Sequence, residues 1–182
     1  MKKEYIKKEI VYAFIDGQNL NLGTSKDIYR RRDSRFKLIY KGWKLDYKKF
    51  RIFLKHKFYV KKAFLFIGYI KKNEPLYRDL KEYGYILIFK PTVCDLRGHF
   101  KGNIDADLVL HCCRIEYDNF DKAVIVSGDG DFYCLHKFLL KEDKLKSILI
   151  PNSKSESSLL KEFVGVKKYL EYEKHKLELR KK

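Results

Sequence analysis

Short runs of apolar residues recur along the chain, separated by segments in which apolar residues return every three or four positions. The five runs are Ile10–Ile15, Ala63–Tyr69, Tyr85–Phe89, Ala123–Val126 and Ser147–Ile150. None alternates cleanly with polar residues, which is typical of strands buried on both faces of a parallel sheet. The helical patterns lie at Leu45–Lys57, Pro75–Tyr83, Ile104–Glu116 and Phe132–Lys141. Strands that alternate with helices predict a three-layer α/β sandwich around a central, mainly parallel, five-stranded sheet.

Two segments do not fit this alternation. The first, Leu20–Trp43, is too long for a tight connection, and we interpret residues 20–43 as a basic insertion in a domain that spans 1–166. Between Lys26 and Lys62 the chain carries 15 Lys or Arg and 3 Asp, a net charge of +12. The second segment, Lys167–Lys182, is predicted to form a basic helical extension.

The charge of the whole chain points to a polyanionic partner. Among 182 residues, 41 Lys and Arg oppose 24 Asp and Glu, a net charge of +17. Nucleic acid is the first expectation and an anionic membrane surface the second. No apolar run approaches the ~18 residues of a membrane span, and the charged N-terminus does not resemble a secretory signal. Four cysteines without a CxxC pair favour a reducing compartment, so we expect a cytoplasmic protein.

Against this basic background, acidic residues stand at the ends of predicted strands. Asp16 directly follows the first run and precedes Gly17. It therefore stands at the carboxyl end of a predicted parallel strand, which is where α/β sheets commonly bind ligands. Asp129 and Asp131 follow the fourth run within Ser127–Phe132, and the intervening glycines leave the backbone free to aim both carboxylates at one point. Carboxylates grouped in this way suit Mg²⁺ or Mn²⁺. Helix capping is the alternative reading, because Asp is common at helix N-termini.

A third acidic motif opens the predicted helix that begins near Asn103. At 100° per residue, Asp105 falls on the apolar arc, where a carboxylate is costly unless it is paired or bound to a metal. Asp107 falls on the polar side and could pair with His111 one turn later. Asp105 is therefore the candidate ligand and Asp107 a supporting residue. The sequence alone leaves open which rim of the sheet this helix end occupies.

Three motifs together resemble the NYN domain, a branch of the PIN-like nuclease superfamily that includes the LabA-like proteins. They are Phe14-Ile15-Asp16-Gly17-Gln18-Asn19-Leu20, Lys101-Gly102-x-Ile104-Asp105 and Ser127-Gly128-Asp129-Gly130-Asp131-Phe132, in that order. Three separated motifs in one order are more specific than any of them alone. The resemblance spans roughly Val11 to Phe163 and implies a PIN-like fold.

The resemblance also implies a site and a reaction. Asp16, Asp105, Asp129 and Asp131 would bind Mg²⁺ or Mn²⁺ for RNA cleavage. Asn19 would orient a carboxylate or touch phosphate, and Ser127, Asp107 and Lys101 would support the site. Many relatives carry a further Asp one or two turns after the position of Asp105, whereas this chain has Leu110-His111-Cys112-Cys113 there. A metal-dependent endoribonuclease is the expected function, with metal-activated water as the nucleophile.

The basic insertion supplies the expected RNA contacts. Arginines and lysines would track phosphates, and interleaved aromatic residues could stack on unpaired bases of single-stranded or structured RNA, although core packing is an equal reading for Phe36 and Trp43. The predicted RNA-binding set is Arg30, Arg31, Arg32, Arg35, Lys37 and Trp43. A homodimer is left open.

Three other interpretations are weighed against the nuclease. A phosphotransferase that uses Asp129 or Asp131 as its nucleophile is disfavoured, because Ser127 and Gly128 separate these residues from the strand end. A catalytically silent RNA-binding or regulatory scaffold is motivated by His111 at the variable acidic position. A zinc site built from His111, Cys112, Cys113, Cys134 and His136 is disfavoured, because adjacent cysteines on a helix point about 100° apart.

Overall fold

The computed structural model describes residues 8–32, 35–90, 93–94, 100–101 and 104–180. The strands are β1 (Val11–Asp16), β2 (Ile28–Arg32), β3 (Arg35–Tyr40), β4 (Val60–Gly68), β5 (Tyr85–Lys90), β6 (Val93–Cys94), β7 (Phe100–Lys101), β8 (Lys122–Val126), β9 (Leu145–Ile150) and β10 (Lys167–Tyr169). The α-helices are α1 (Gly17–Ser25), α2 (Tyr47–Phe58), α3 (Glu74–Glu82), α4 (Ile104–Leu110), α5 (Tyr133–Lys141) and α6 (Lys174–Leu177). A π-helical turn, His111–Ile115, follows α4 directly, and short 3-10 turns cover Lys71–Asn73, Tyr117–Asn119, Gly130–Phe132, Ser158–Glu162 and Leu170–Glu173.

Six strands form the central sheet in the order β10-β9-β8-β1-β4-β5, and every neighbouring pair is parallel. The α/β class and the parallel sheet are confirmed, but the expected five strands are wrong. The sixth strand is β10, which comes from the first residues of the segment predicted as a helical extension. Its sequence, Lys-Lys-Tyr, lacks the apolar run of a buried strand because β10 lies at the edge of the sheet.

Two apolar layers cover the sheet. Alternate residues of β1 point to opposite faces, so Ala13 and Ile15 pack with α1, α2 and α3, whereas Tyr12 and Phe14 pack with α4 and α5. The C-terminal residues Leu170 and Leu177 are buried in the first of these layers. The predicted domain limits stay a prediction. Among the described residues, no helix is long and apolar enough to cross a membrane.

The predicted basic insertion contains an antiparallel hairpin. β2 and β3 pair with each other and with no strand of the central sheet. Tyr40 at the end of β3 is buried, and its hydroxyl donates to the carbonyl of Thr24 at 3.1 Å. The base of the hairpin is therefore anchored to α1.

Gly17 opens α1 where the helix passes closest to β4. A Cβ at this position would lie 2.8 Å from the carbonyl oxygen of Phe66 and would also collide with the side chain of Ile67. Because a backbone oxygen cannot move as a flexible side chain can, Gly17→Ala should lower the free energy of unfolding by about 1–3 kcal/mol. Gly165→Ala is the matched control, since a Cβ there meets nothing within 4 Å. Urea unfolding midpoints measure both, and equal midpoints would contradict the prediction.

Candidate functional site

The chain reverses its direction of travel across the sheet between β1 and β8. From β1 it proceeds to β4 and β5 on one side, and it then returns to β8, β9 and β10 on the other. The crevice outside the carboxyl ends of strands at such a reversal is where open α/β sheets bind ligands. Asp16 is the last residue of β1, and Ser127 directly follows β8. Two of the predicted site residues therefore lie at this crevice.

Asp16 is almost completely buried, with 5% of its surface exposed. One carboxylate oxygen, Oδ1, accepts the backbone N–H of Asn19 at 2.9 Å, so Asp16 is also the N-cap of α1. The other, Oδ2, lies 3.4 Å from the Oγ of Ser127, which donates to it. Capping alone does not require burial, because caps are commonly solvated.

The pKa of Asp16 is raised to about 6, mainly by burial and also by the nearby carboxylates of Asp105 and Asp129, which together outweigh the lowering by the hydrogen bonds from Asn19 and Ser127. Burial also raises the pKa of Asp105, as do Asp129 and Asp131, whereas Lys90 lowers it. Asp16 and Asp105 are thus each repelled by other predicted acids of the site. Mutual repulsion of this kind disfavours ionisation and marks candidate functional sites.

Asp16→Asn is expected to stabilise the metal-free protein at neutral pH. A carboxyl group whose folded pKa lies above its unfolded value contributes stability below the unfolded pKa, here 3.8, and that contribution is lost as the pH rises through about 6. Above pH 6 the free energy of unfolding of the variant should therefore exceed that of the wild type by up to about 3 kcal/mol, with a higher unfolding temperature, and the difference should vanish near pH 4. Thermal unfolding in EDTA across pH 4–8 measures this, and a pH-independent difference would contradict it.

Ser127 and Asn19 hold the loop that follows β8. The Oγ of Ser127 accepts the backbone N–H of Asp129 at 3.1 Å while it donates to Asp16, so one hydroxyl links the two acids. Asn19 reaches from α1, and its Oδ1 accepts the backbone N–H of Gly128 at 2.9 Å. Asp129 caps the following 3-10 turn by accepting the N–H of Asp131 at 3.1 Å.

The third acidic motif approaches the site from α4. Asp105 is half-buried and lines the same cavity as Asp16 and Asp129, so the start of α4 lies at the rim of the sheet that carries the crevice. Asp107 points elsewhere, and its Oδ2 lies 3.8 Å from the Nζ of Lys90. The structure thus separates the two acids of this motif, as the helical spacing predicts.

His111 differs from the expectation. Its Nδ1 lies 3.0 Å from the backbone carbonyl oxygen of Asp107, and no hydrogen bond to the Asp107 carboxylate is present in the described part of the chain. The imidazole packs edge-on against Phe66, with ring centroids 5.2 Å apart. The predicted pairing of the two side chains is therefore wrong. The imidazole turns toward the backbone of α4 and the aromatic layer, and the ion pair that the Asp107 carboxylate makes is with Lys90.

The acids open into a cavity of about 590 Å³ that runs along α1 to the base of the hairpin. Asp16, Asp105 and Asp129 line one end, and Ile28 and Tyr29 of β2 line the other. Asp131 is exposed beside it. The acidic crevice and the basic hairpin therefore share one continuous surface.

The described residues contain no group of three or more His, Cys, Asp or Glu side chains placed to hold a metal ion. This holds for the acids and for the zinc candidates alike. Cys112 is buried among apolar residues and Cys134 is exposed. His136 is fully buried and packs edge-on against Phe163, and burial lowers its pKa to about 4.

The hairpin carries different chemistry on its two faces. Residues directly opposite each other in an antiparallel pair share a face, and successive residues alternate. Tyr29 pairs with Leu38 and Arg31 with Phe36, whereas Arg30 pairs with Lys37 on the other face. Arg35 lies on that second face opposite Arg32. One face is thus aromatic and aliphatic with one arginine, and the other is cationic.

Phe36 and Trp43 differ in their exposure to solvent. Phe36 is 72% exposed on the hairpin, whereas Trp43 is 4% exposed and packs in the core beside α1 and α2. Trp43 cannot stack on a base, so its inclusion among the RNA-binding residues is wrong. Its backbone N–H donates to the carbonyl of Thr24 at 2.8 Å, which holds the chain leaving the hairpin against α1.

Three predicted residues fall at the limits of the described chain. Lys101 and Arg32 end β7 and β2, but their side chains lie outside the described part. Asn103, near which the third predicted helix was expected to begin, lies outside the described residues altogether.

Lys90 is the site residue that sequence reasoning missed. It ends β5 at the carboxyl edge of the sheet, is 6% exposed and pairs with Asp107. The available signal was a lysine directly after the apolar run Tyr85–Phe89, at the strand end where functional residues concentrate. In a chain with so many lysines, this one does not stand out by composition.

Comparisons with known proteins bear on the family and the fold of this chain. A family model described as the NYN domain matches residues 11–165. No curated protein is significantly similar to the chain. Among solved structures, the fold is similar to a protein of unknown function from Vibrio parahaemolyticus, with a TM-score of 0.68 and 21% identity over 92% of this chain and 96% of that chain. At this identity the likeness shows the fold alone.

Proposed function

Because the chain belongs to the NYN domain family, within the PIN-like nuclease superfamily, we propose that it is a metal-dependent ribonuclease whose site is the acidic crevice between β1 and β8. The observation that carries this proposal is the buried Asp16, whose pKa is raised by burial and by Asp105 and Asp129. A carboxylate kept in this state lowers stability at neutral pH, and a bound cation would offset that cost. The LabA-like branch stays a prediction.

The donor set fits Mg²⁺ or Mn²⁺. Asp16, Asp105 and Asp129 offer hard carboxylate oxygens at one end of an open cavity, and neither sulfur nor imidazole is among these donors. Mg²⁺ usually keeps several waters, so it does not require three side chains that already converge. A cation held there would lower the pKa of a bound water and so supply a nucleophile at neutral pH.

The chain's own residues would position these donors. Ser127 links Asp16 to the backbone of Asp129, and Asn19 ties the same loop to α1. Asp105 would close the site from α4. The hairpin, which begins at the far end of the cavity, would bind the RNA backbone through Arg30, Arg31, Arg35 and Lys37. Arg32 belongs to the proposed set by its place in β2.

The test is incubation of purified protein with labelled single-stranded and structured RNAs, in Mg²⁺ or Mn²⁺ and in EDTA. We expect cleavage that requires the metal ion. Salt-sensitive RNA binding that is unchanged by EDTA, without any product, would favour the silent scaffold instead. The observation that favours this second function is His111, which stands where many relatives carry a further Asp and packs edge-on against Phe66.

A further inference from the structure

A second cavity lies beside the acidic one and has different chemistry. Its volume is about 710 Å³, within the range of about 300–1,000 Å³ typical of ligand pockets. Side chains of β4 and α3 form an apolar wall, among them Leu65, Ile67, Leu76 and Leu80. No residue of this wall has a role in the cleavage proposed above.

One end of this second cavity holds a buried positive charge. Lys90 lines it with 6% of its surface exposed. The ion pair that the described residues give it, to Asp107, spans 3.8 Å, which is longer than a hydrogen bond. An ammonium group has three donor hydrogens, and a buried charge is costly unless strong partners satisfy it. This end of the cavity therefore suits an anionic group such as a phosphate.

The walls suit an aromatic ring with polar edges. Tyr47, Tyr77 and Tyr83 line the cavity, and aromatic faces stack on nucleobases of any sequence. The hydroxyl of Tyr77 is held in place because it donates to the carbonyl of Gly68 at 3.2 Å and accepts the N–H of Ile70 at 2.9 Å.

Polar groups stand along one side of the same cavity. Gln18, Asn21 and Ser25 lie on one stripe of α1 and can exchange hydrogen bonds with base edges or ribose.

The two cavities adjoin. Gln18 lines both of them, and Asp16 and Gly17 are successive residues on either side of the boundary. Lys90 connects them electrostatically, because it lines the second cavity and lowers the pKa of Asp105 in the first. An RNA strand that presents a phosphate to the acids would bring its neighbouring nucleotide to this opening.

We propose that the second cavity is a nucleotide subsite that takes one base of the RNA substrate, with Lys90 binding the phosphate of that nucleotide. The proposal rests on the proposed ribonuclease function for the identity of the strand, but nucleotide binding itself is measurable without cleavage. The subsite would give the enzyme a base preference beside the cut. Lys44, Asp46 and Asp79 also line this cavity. A fatty acid would also match its apolar wall and the buried Lys90, so it is the competing occupant in the test.

The test measures binding of AMP, GMP, CMP and UMP to the full chain in EDTA by calorimetry. At least one nucleotide should bind the wild type. Lys90→Met should weaken that binding about tenfold, since it removes a charge-assisted contact. Leu76→Trp fills the cavity from its half-exposed rim and should weaken binding at least as much. Leu140→Trp, on the similarly exposed face of α5, is the matched control and should bind like the wild type.

A second arm distinguishes an RNA nucleotide from a free one. RNA hexamers of the preferred base should bind the Asp16→Asn variant more tightly than hexamers of the least preferred base, and Leu76→Trp should abolish that difference. Failure of all four nucleotides to bind folded wild type would overturn the proposal, as would oleate binding in their place. Free nucleotides that bind without any hexamer preference would also overturn it. Metal-dependent cleavage by the wild type reports separately on the ribonuclease.

Discussion

Asp16→Asn is expected to reduce metal-dependent RNA cleavage by at least about a hundredfold, because it removes a charged ligand from the centre of the acidic crevice. Asp129→Asn should have an effect of the same order, since Ser127 joins the Asp16 carboxylate to the backbone of Asp129 and both acids line one cavity. Initial rates of cleavage in Mg²⁺ or Mn²⁺ measure both variants against the wild type.

The stability of Asp16→Asn distinguishes loss of chemistry from loss of fold. The same substitution should raise the unfolding temperature above pH 6, so an inactive variant that is also more stable cannot owe its inactivity to misfolding. Asp118→Asn is the control, because Asp118 is exposed in the 3-10 turn Tyr117–Asn119 outside the cavity. If both Asp16→Asn and Asp129→Asn cleave RNA as fast as the wild type, the acidic crevice is not the active site.

Neutralising the cationic face of the hairpin is expected to weaken RNA binding at least tenfold at about 0.15 M salt. The variant replaces Arg30, Arg35 and Lys37 by glutamine, and all three side chains are exposed. If each contacts one phosphate, the slope of log affinity against log salt should become shallower by about 2 for single-stranded RNA. Titration of labelled RNA at several salt concentrations gives both quantities.

A control variant distinguishes RNA contacts made by the hairpin from a general effect of the protein's net charge. Lys55, Lys81 and Lys141 are exposed on α2, α3 and α5, and their replacement by glutamine removes the same total charge from other surfaces. This variant should retain most of the affinity and most of the salt slope. Equal losses in the two triple variants would mean that the chain attracts RNA by its overall charge, and the hairpin would then have no special role.

The buried strands were predictable because strands covered on both faces need apolar residues at every position. β10 was not, since an edge strand tolerates the Lys-Lys-Tyr that the sequence reading assigned to a helix. The hairpin itself was not predicted either, although the sequence did indicate a basic insertion at residues 20–43. Its strands carry exposed cations and exposed aromatic residues, and among the described strands they pair only with each other, so neither burial nor a regular apolar period reveals them.

Some residues of the candidate site were also predictable from the sequence, and others were not. Asp16 and Asp129 were identified from their position after apolar runs, and β1 and β8 prove to be neighbours. His111 was placed incorrectly because its imidazole contacts the backbone carbonyl of Asp107 and packs on Phe66, and helical spacing does not encode these contacts. Lys90 was overlooked because the sequence does not distinguish a buried lysine at a strand end from a solvated one.

The sequence by itself determined the class of fold, the family and the order in which acids follow strands, because apolar runs and motif spacing are local properties of the chain. Only the tertiary structure decided that the start of α4 lies on the same rim as Asp16, that Lys90 is buried at the second cavity, and that Phe36 faces solvent while Trp43 fills the core. Each of these depends on how elements far apart in sequence pack together. The burial and the neighbours of a charged or aromatic side chain follow from that packing, and residue type alone does not set them.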